Sequence, residues 1–470
     1  MKKIKTYSLV FFIFFAFSNV INRNVQPFFR NYSEAYPVSS FISGLSGNLM
    51  VTPVLKFDFG SKEAAAGYEA VTGDMIYNSN RGYGFISESP VKDVNRKGSD
   101  RLRDDFCTSD KPFYFAVNLP EDNYEVIITF GDKKGTSDNT VKAESRRLML
   151  LDTKSSKGEF KTDTIIVNVR TPYINTGDSI RRKSREMSYL NWDNKLTLEF
   201  GSSRPCIDAV EIRKAGDVVT VFLAGNSTVT DQEKEPWAAW GQMIPSFFNK
   251  DVVVDNYAES GEALKSFVGE KRLEKILSII KPGDYLLIQF GHNDQKTNSS
   301  AYVAPFTGYK DMLKLFVKDA REKGAFPVLI TPMNRRSFDE NGKIINTHGD
   351  YPEAMRQAAR EENVPLIDLN AMSKEFYEAL GVEGSRKAFV HYPANSFPGQ
   401  EKALADNSHH STYGAYELAK CVVEGIKSNV PGLARYLKPT PPFDPKKPDP
   451  YSEWKWPVSP LFESIKPEGY

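Results

Sequence analysis

Two short polar segments carry side chains that together could transfer an acyl group. Ser227 follows an apolar, β-branched run, and Asp406 and His409 lie three residues apart much later in the chain. A serine hydroxyl becomes a competent nucleophile when an imidazole accepts its proton and a carboxylate fixes the imidazole tautomer. The order Ser, Asp, His along the chain is one in which such triads occur. The sequence therefore predicts Ser227 as nucleophile, His409 as general base and Asp406 as its orienting acid.

Two further segments could stabilise an oxyanion. Gly261 follows a second apolar run, and Asn293 follows a third within Gly291-His292-Asn293-Asp294. A glycine lets its backbone N–H approach a ligand closely, and an amide side chain can donate to a developing negative charge. We predict an oxyanion hole formed by the N–H groups of Ser227 and Gly261 and by the Asn293 side chain. Each segment alone is equally typical of a turn or a helix cap, so only their joint placement is specific.

Six other polar residues in these segments, or in loops that follow the fourth apolar run, are predicted to contact the substrate. They are Asn226, His292, Arg335, Arg336, His348 and His410. A solvated loop with ion pairs explains the arginines equally well, and His410 is an alternative to His409 as the working imidazole. The adjacent histidines could also indicate a metal site. However, neighbouring side chains on a loop rarely converge and no third ligand motif is visible, so we predict neither a metal nor a cofactor.

The elements that must position these residues alternate between strands and helices from about Val218 onward. The predicted strands are Val218–Ala224, Val252–Asn256, Tyr285–Phe290, Pro327–Ile330 and Pro365–Asp368. The predicted helices lie around Trp237–Phe248, Leu264–Ile280, Gly308–Lys323, Glu353–Glu362 and Tyr413–Lys427. Such alternation predicts a three-layer α/β/α domain over residues 216–437, built on a parallel sheet whose active site lies beyond the carboxyl ends of the strands. Trp237 and Trp240 are expected to pack the first helix.

The preceding part of the chain has a different pattern, with short alternating runs separated by Gly, Asp, Asn and Lys. The predicted strands are Leu55–Phe59, Phe113–Leu119, Tyr124–Phe130, Arg147–Leu151, Thr164–Val169, Leu196–Phe200 and Ala209–Ile212. This pattern predicts an antiparallel β-sandwich over residues 53–215. Its aromatic residues Tyr68, Tyr77, Tyr83 and Trp192 could stack on sugars or simply form core. Cys107 and Cys206 could pair, whereas Cys421 is expected to be buried in the last helix.

Composition and the two ends of the chain narrow the functional class. The 470 residues include 61 Lys and Arg against 60 Asp and Glu, which argues against a polycationic nucleic-acid binder.

Lysines followed by a short apolar run predict an export signal over residues 1–18, with an uncleaved anchor as the alternative, and a leader over residues 19–52. A cleaved chain would be periplasmic or extracellular. Residues 438–470 are rich in proline and aromatics and are expected to pack on the domain surface or to line a substrate groove.

The four polar segments together resemble those of the SGNH, or GDSL-like, hydrolases, which supply Ser, Gly, Asn and His in this order. The resemblance covers about residues 218–430 and is strongest to rhamnogalacturonan acetylesterases, carbohydrate esterase family 12. It rests further on residues 228–232, 236–242, 289–296 and 330–336. The sandwich resembles galactose-binding-like carbohydrate-binding domains through residues 56–60 and 82–85, which implies a β-sandwich of the jelly-roll type.

The resemblance implies a flavodoxin-like hydrolase domain and an exported serine esterase that deacetylates a plant cell-wall polysaccharide, most closely pectic rhamnogalacturonan. It implies no cofactor, and its partner is the acetylated polysaccharide or oligosaccharide. Three alternatives stay open: an esterase for acetylated xylan or another glycan, a lipase or phospholipase, and a carbohydrate-binding protein whose hydrolase domain is inactive. Two residues depart from the family pattern. Asn226 stands where aspartate is usual, and Glu262 stands where relatives often carry arginine.

Overall fold

The computed structural model describes residues 54–86, 90–175 and 177–468. The predicted export signal and leader, residues 1–52, lie outside the described residues. Within the described ranges, none of the helices combines the length and the apolar character that crossing a bilayer requires.

The N-terminal part of the described chain consists of two β-sheets that share one apolar core. One sheet has the strand order β10-β7-β12-β1-β2, with β5 and β4 attached beside β12, and the other has the order β3-β6-β11-β8-β9. All pairs are antiparallel except β1 with β2. The strands are β1 Leu55–Phe59, β2 Glu69–Val71, β3 Tyr83–Phe85, β4 Lys92–Asn95, β5 Asp105–Thr108, β6 Phe113–Asn118, β7 Asp122–Gly131, β8 Ser137–Ala143, β9 Arg147–Ser155, β10 Phe160–Val169, β11 Lys195–Arg204 and β12 Ile207–Lys214. The predicted antiparallel β-rich architecture is confirmed.

Five of these strands were not predicted because they lack an alternating apolar pattern. They are β2, β3, β4, β5 and β8. Strand β8 reads Ser-Asp-Asn-Thr-Val-Lys-Ala, yet most of its side chains are buried. Lys142 on β8 is buried because its ammonium pairs with Glu199 at 2.9 Å and donates to the Ser459 hydroxyl at 2.7 Å. Partners distant in sequence therefore offset the cost of burying this charge, which local patterning does not reveal.

The C-terminal part contains a five-stranded parallel sheet of order β14-β13-β15-β16-β17, with helices on both faces. The strands are β13 Val219–Gly225, β14 Val252–Asn256, β15 Tyr285–Gln289, β16 Phe326–Ile330 and β17 Leu366–Ile367. The helices are α1 Trp240–Met243, α2 Leu264–Gly269, α3 Arg272–Ile279, α4 Lys310–Glu322, α5 Tyr351–Glu361, α6 Leu369–Gly384, α7 Thr412–Asn429 and α8 Pro431–Ala434. Helices α1, α6 and α7 pack on one face, and α2 to α5 pack on the other. The predicted flavodoxin-like α/β/α fold is confirmed.

Two predicted helices are interrupted, each for a local reason. The segment 237–248 forms only the short helix α1 and a 3₁₀ turn at Ile244–Phe247, because Pro245 has no N–H to continue the α-helical bonding. The segment 264–280 is divided into α2 and α3 at Lys271, which adopts a left-handed φ of 62°. Continuous helices over these two segments were wrong predictions.

A two-stranded antiparallel ribbon, which the sequence pattern did not reveal, carries two of the predicted catalytic residues. Its strands are β18 Phe389–Tyr392 and β19 Leu404–His410. Asp406 and His409 lie on β19 and not on a simple turn before the last helix. Helix α7 then begins at Thr412 and is capped by Ser411, whose hydroxyl accepts from the Gly414 N–H at 3.2 Å.

Buried charges connect the sandwich with the loop that follows β13. The Arg147 guanidinium contacts Asp231 at 3.1 Å, and Arg146 contacts Glu235 at 2.6 Å. All four side chains are at most 2% exposed. Leu148 of β9 is part of the same apolar core as the hydrolase residues. The two parts of the chain therefore share an interior.

The proline-rich segment after residue 437 packs against both parts. Trp454 and Trp456 are stacked at 6.0 Å and lie against the core of the parallel-sheet domain. Lys142 of the sandwich donates to the Pro457 carbonyl at 2.6 Å, and Phe462 stacks on Phe397 at 4.9 Å. This segment is thus held by apolar and polar contacts along its length.

All three cysteines are buried free thiols. The pairing of Cys107 with Cys206 that the sequence allowed does not occur, whereas Cys421 lies within α7, as expected.

We expect Arg147→Met to destabilise the protein by about 3–5 kcal/mol, because it leaves the buried Asp231 carboxylate without its cation. The matched control is Lys281→Met, which removes the exposed ion pair with Asp217 and should change stability by less than about 1 kcal/mol. Urea unfolding of both variants measures the difference. Equal effects would contradict the assigned importance of the buried pair.

Candidate active site

The predicted nucleophile lies in a tight turn directly after β13. Ser227 is 3% exposed, and the Val229 N–H donates to the Asn226 carbonyl at 2.9 Å. A Cβ atom at Gly225 would lie 2.6 Å from a methyl group of Val229. Gly225 is therefore required here for space, because the turn packs back on the strand end, and not for a left-handed backbone.

Asn226, predicted to contact substrate, stabilises this turn. Its side-chain oxygen accepts from both the N–H and the hydroxyl of Thr228, at 3.0 and 2.8 Å. The side chain is fully buried. A carboxylate oxygen could accept the same two hydrogen bonds, so an amide can replace the usual aspartate without altering the turn.

The three predicted triad residues meet in one hydrogen-bonded chain. His409 Nε2 lies 2.9 Å from Ser227 Oγ, and His409 Nδ1 lies 2.7 Å from Asp406 Oδ2. All three side chains are at most 3% exposed. With the carboxylate accepting from Nδ1–H, Nε2 is left unprotonated toward the serine hydroxyl. That arrangement can remove the serine proton.

Asp406 is held as a carboxylate by its surroundings. Its Oδ1 accepts from the N–H groups of Ser408 at 2.7 Å and His409 at 3.2 Å, and the Lys466 ammonium lies 3.3 Å away. Burial alone would raise the pKa of Asp406, but the hydrogen bond from His409 and the charges of His409 and Lys466 lower it to about 2. The group therefore stays ionised throughout the neutral pH range.

Donors suited to an oxyanion lie at the ends of three neighbouring strands. Among the described residues, the N–H groups of Ser227 and Gly261 donate to no protein acceptor. Gly261 has a left-handed φ of 87°. The Asn293 amide donates one hydrogen to the Glu262 carbonyl at 2.8 Å and retains a second. Asp294 supports this arrangement by accepting from two backbone N–H groups, those of Leu264 and Gly291, at 2.8 and 2.7 Å.

His410 points away from the serine. Its Nε2 lies 2.7 Å from the Tyr377 hydroxyl, its ring packs on Phe389 at 4.6 Å, and it is fully buried. Burial lowers the pKa of His410 to about 3. His410 is therefore held in the interior by Tyr377, whereas the ring of His409 faces Ser227.

Three other predicted substrate contacts form a buried cluster. His292 and His348 pack edge to face with ring centres 4.4 Å apart, and Arg335 donates to the His292 carbonyl at 3.3 Å. All three are at most 5% exposed. Burial lowers the pKa of both imidazoles, that of His348 to about 3, so His348 is neutral and offers no charge to a carboxylate. The expected carboxylate-binding role of His348 is not supported by its placement.

Arg336 is more accessible than Arg335, but its guanidinium forms hydrogen bonds with other residues of the protein. It donates to the hydroxyl of Ser385 at 3.1 Å, to the carbonyl of Val382, and to the side chain of Asn407 at 3.3 Å. These contacts connect the loop after β16 with the end of α6 and with β19. Arg336 therefore organises the loops near Asp406.

Residues that the sequence analysis did not select lie closer to the serine. Gln232 donates to the Ser227 carbonyl at 2.8 Å, and the Trp237 ring meets the His409 ring edge to face at 5.9 Å. Trp240 packs in the core as predicted, whereas Trp237 also lines a cleft of about 630 Å³. Lys183 and Arg185 of the N-terminal part line the same cleft. Gln232 and Trp237 lie in segments 228–232 and 236–242, which carry the family resemblance, whereas no local motif marks Lys183 and Arg185. Only the tertiary fold brings these two residues to the cleft.

The sandwich aromatics are mostly engaged with the protein. Trp192 is 6% exposed and packs under Arg170, 4.6 Å from the guanidinium. Tyr68 donates to Glu211, and Tyr83 packs on Phe57 at 4.9 Å. Tyr77 is partly exposed and donates to the side chain of Asn118. Trp192 is thus core, whereas Tyr68, Tyr77 and Tyr83 are each partly exposed.

Comparison with known proteins identifies both parts of the chain. Residues 222–392 match the GDSL-like lipase/acylhydrolase family, and residues 55–169 match the galactose-binding domain-like region of β-agarase/YXIM esterase-like proteins. The chain belongs to the GDSL-like lipase/acylhydrolase family. The resemblance to this family and to a galactose-binding-like domain, expected from the sequence, is confirmed.

Individual relatives cover one or both parts. Rhamnogalacturonan acetylesterase RhgT of Bacillus subtilis is 48% identical over 211 residues, which are 44% of this chain and 90% of that protein. The uncharacterized esterase YxiM of Bacillus subtilis is 27% identical over 387 residues, which are 80% of this chain and 91% of that protein. The crystal structure of YxiM matches with a TM-score of 0.42, covering 80% of this chain and 98% of that one.

We expect His409→Ala to reduce hydrolysis of p-nitrophenyl acetate by about 10³-fold or more, since the serine loses its base. The matched variant His410→Gln preserves a hydrogen-bonding partner for Tyr377 and should retain activity within about threefold. Circular dichroism establishes that both variants are folded. An inactive His410 variant beside an active His409 variant would reverse the assignment.

Proposed function

We propose that this protein is an exported serine esterase that removes acetyl groups from a plant cell-wall polysaccharide, pectic rhamnogalacturonan. The observation that carries the proposal is the hydrogen-bonded chain from Ser227 through His409 to Asp406, buried at the carboxyl ends of the strands of a GDSL-like domain.

The geometry supports a two-step acyl transfer. Ser227 Oγ attacks the acetyl carbonyl carbon while its proton passes to His409 Nε2. His409 then returns the proton to the sugar oxygen as the carbon–oxygen bond breaks, leaving an acetyl-enzyme. A water molecule, deprotonated by His409, then attacks the acetyl carbonyl carbon. His409 returns this proton to Ser227 Oγ as the ester bond breaks and acetate leaves. Asp406 stabilises the imidazolium in both steps.

The negative charge that develops on the acetyl oxygen would be accepted by the N–H groups of Ser227 and Gly261 and by the second hydrogen of the Asn293 amide. These donors are fixed before the substrate binds, so little reorganisation accompanies the reaction. A donor of this kind typically contributes about 3 kcal/mol to stabilising the transition state.

Two observations support an acetylated polysaccharide as substrate. The relative that is 48% identical over the hydrolase part is a rhamnogalacturonan acetylesterase. The cleft beside the serine is lined largely by charged and polar residues, among them Lys183, Arg185 and Glu233. The basic n-region and apolar run at the N-terminus support export.

We expect wild-type protein to release acetate from acetylated rhamnogalacturonan and Ser227→Ala to lose this activity by at least about 10³-fold, because no other group can form the acetyl-enzyme. Ser246→Ala is the matched control. Its hydroxyl only donates to the Met243 carbonyl, at 2.8 Å, and full activity is expected.

The same assay on acetylated xylan separates the substrates. Release from xylan alone would preserve the mechanism but overturn the pectin assignment. Release from neither polymer by a folded protein would contradict the proposed function.

A further inference from the structure

The cleft beside Ser227 lies between residues that are far apart in the sequence. One wall contains Lys183, Arg185 and Tyr189, which lie in and directly beside the 3₁₀ turn Ser184–Ser188 of the N-terminal part. The opposite wall contains Lys466 and Glu468. Its volume of about 630 Å³ falls within the range of small-ligand sites. The N-terminal part therefore lines a cleft that adjoins the candidate active site through Gln232 and Trp237, which contact Ser227 and His409.

Arg185 is fixed by the protein but keeps one nitrogen directed into the cleft. Its Nε and Nη2 donate to Glu259 at 3.0 and 2.8 Å, and Nη2 also donates to the Ser260 carbonyl at 2.7 Å. Its Nη1 contacts the Glu468 carboxylate at 2.9 Å. Glu259 is 4% exposed, whereas Glu468 is 67% exposed. The buried carboxylate thus orients the guanidinium, and the exposed one occupies its outward face.

Lys183 is fixed in a similar way. It pairs with the fully buried Glu262 and donates to the Ser260 carbonyl at 2.6 Å. A methyl group at Gly261 would lie 3.3 Å from both the Lys183 ammonium and the Glu468 carboxylate. Because the Gly261 N–H is a proposed oxyanion donor, the Glu468 carboxylate lies at the edge of the position where the reacting acetyl group would bind.

The surroundings favour a negative charge at this position. The hydrogen bond from Arg185 lowers the pKa of Glu468, and the charges of Arg185, Lys183 and Lys296 lower it further. Partial burial of the carboxyl acts in the opposite direction. Three cations therefore act on one exposed carboxylate. An exposed ion pair of this kind contributes little to stability and can be exchanged for another anion.

We propose that Lys183 and Arg185 form a subsite for the carboxylate of a uronic acid residue of the polysaccharide, and that Glu468 occupies this subsite when no substrate is bound. The proposal rests on the proposed function. It specifies that the polysaccharide is acidic and that the recognising cations come from the N-terminal domain. The segment around Glu468 must move aside when the uronate binds.

The test uses the full chain and hydrolysis of the neutral ester p-nitrophenyl acetate, with unacetylated trigalacturonate as a competitive inhibitor. Removing the competing charge with Glu468→Gln should lower the inhibition constant for trigalacturonate about twofold to fivefold. Glu63→Gln, which removes an exposed glutamate paired with Arg101 at 2.7 Å, is the matched control and should leave that constant unchanged. Neutral galactotriose should inhibit all three proteins equally.

Arg185→Gln provides the opposite change and should raise the inhibition constant for trigalacturonate about tenfold, since a charge-assisted hydrogen bond is lost.

An unchanged constant in the folded Glu468 variant, or equally strong inhibition by galactotriose, would overturn the subsite. If rhamnogalacturonan is not deacetylated but trigalacturonate inhibition still depends on Glu468, the proposed function fails and the subsite stands. If no ester is hydrolysed, calorimetric titration of trigalacturonate into the same variants replaces the inhibition assay, and equal affinities of the wild type and the Glu468 variant would overturn the subsite.

Discussion

The buried pairing of Arg147 with Asp231 is the contact on which the geometry of the candidate active site depends. Asp231 also accepts from Asn256 at 2.8 Å, and the same amide donates to the Val229 carbonyl at 2.8 Å, within the turn that follows Ser227. Gln232, the next residue, donates to the Ser227 carbonyl at 2.8 Å. The position of the nucleophile is therefore fixed by a chain of contacts that begins on the sandwich.

Removing these charges from water is costly, and only close pairing offsets that cost. Arg170 and Asp255 form a second buried ion pair beside the parallel sheet, at a distance of 2.9 Å. Both side chains are at most 2% exposed. Gln242 adds a neutral bridge, since its amide donates at 2.9 Å to the carbonyls of both Ser145 and Gln232. Because each partner would be an uncompensated buried charge without the other, the pairs favour a single arrangement of the two parts.

The same principle explains the Glu262 departure from the family pattern. A glutamate at this position would place a negative charge toward an acidic polysaccharide if its side chain faced the cleft. In the structure its carboxylate is fully buried against Lys183, so the group that reaches the cleft is a cation. The sandwich supplies the positive charge from a segment distant in sequence. The effect of one substituted residue therefore depends on the partner that the tertiary fold provides.

Sequence reasoning succeeded where the signal was local and periodic. The β-α alternation predicted the parallel sheet, and the spacing of Asp406 and His409 selected two groups that do meet Ser227. It failed where long-range packing decides the outcome. Arg335 and His348 have the chemistry of ligand-binding residues but are buried, whereas Arg185 carries no motif and lines the cleft. Burial and orientation of a polar side chain depend on partners that local sequence does not identify.

These contacts bear on whether the sandwich is a separable module. Cutting the chain between the two parts would leave Asp231, Asp255 and Glu235 of the hydrolase part without Arg147, Arg170 and Arg146. It would also remove one wall of the cleft, since Lys183 and Arg185 belong to the N-terminal part. An appended binding module would connect through a flexible linker and exposed surfaces. Here buried ion pairs, a shared apolar core and a shared cleft make the sandwich a structural component of the esterase.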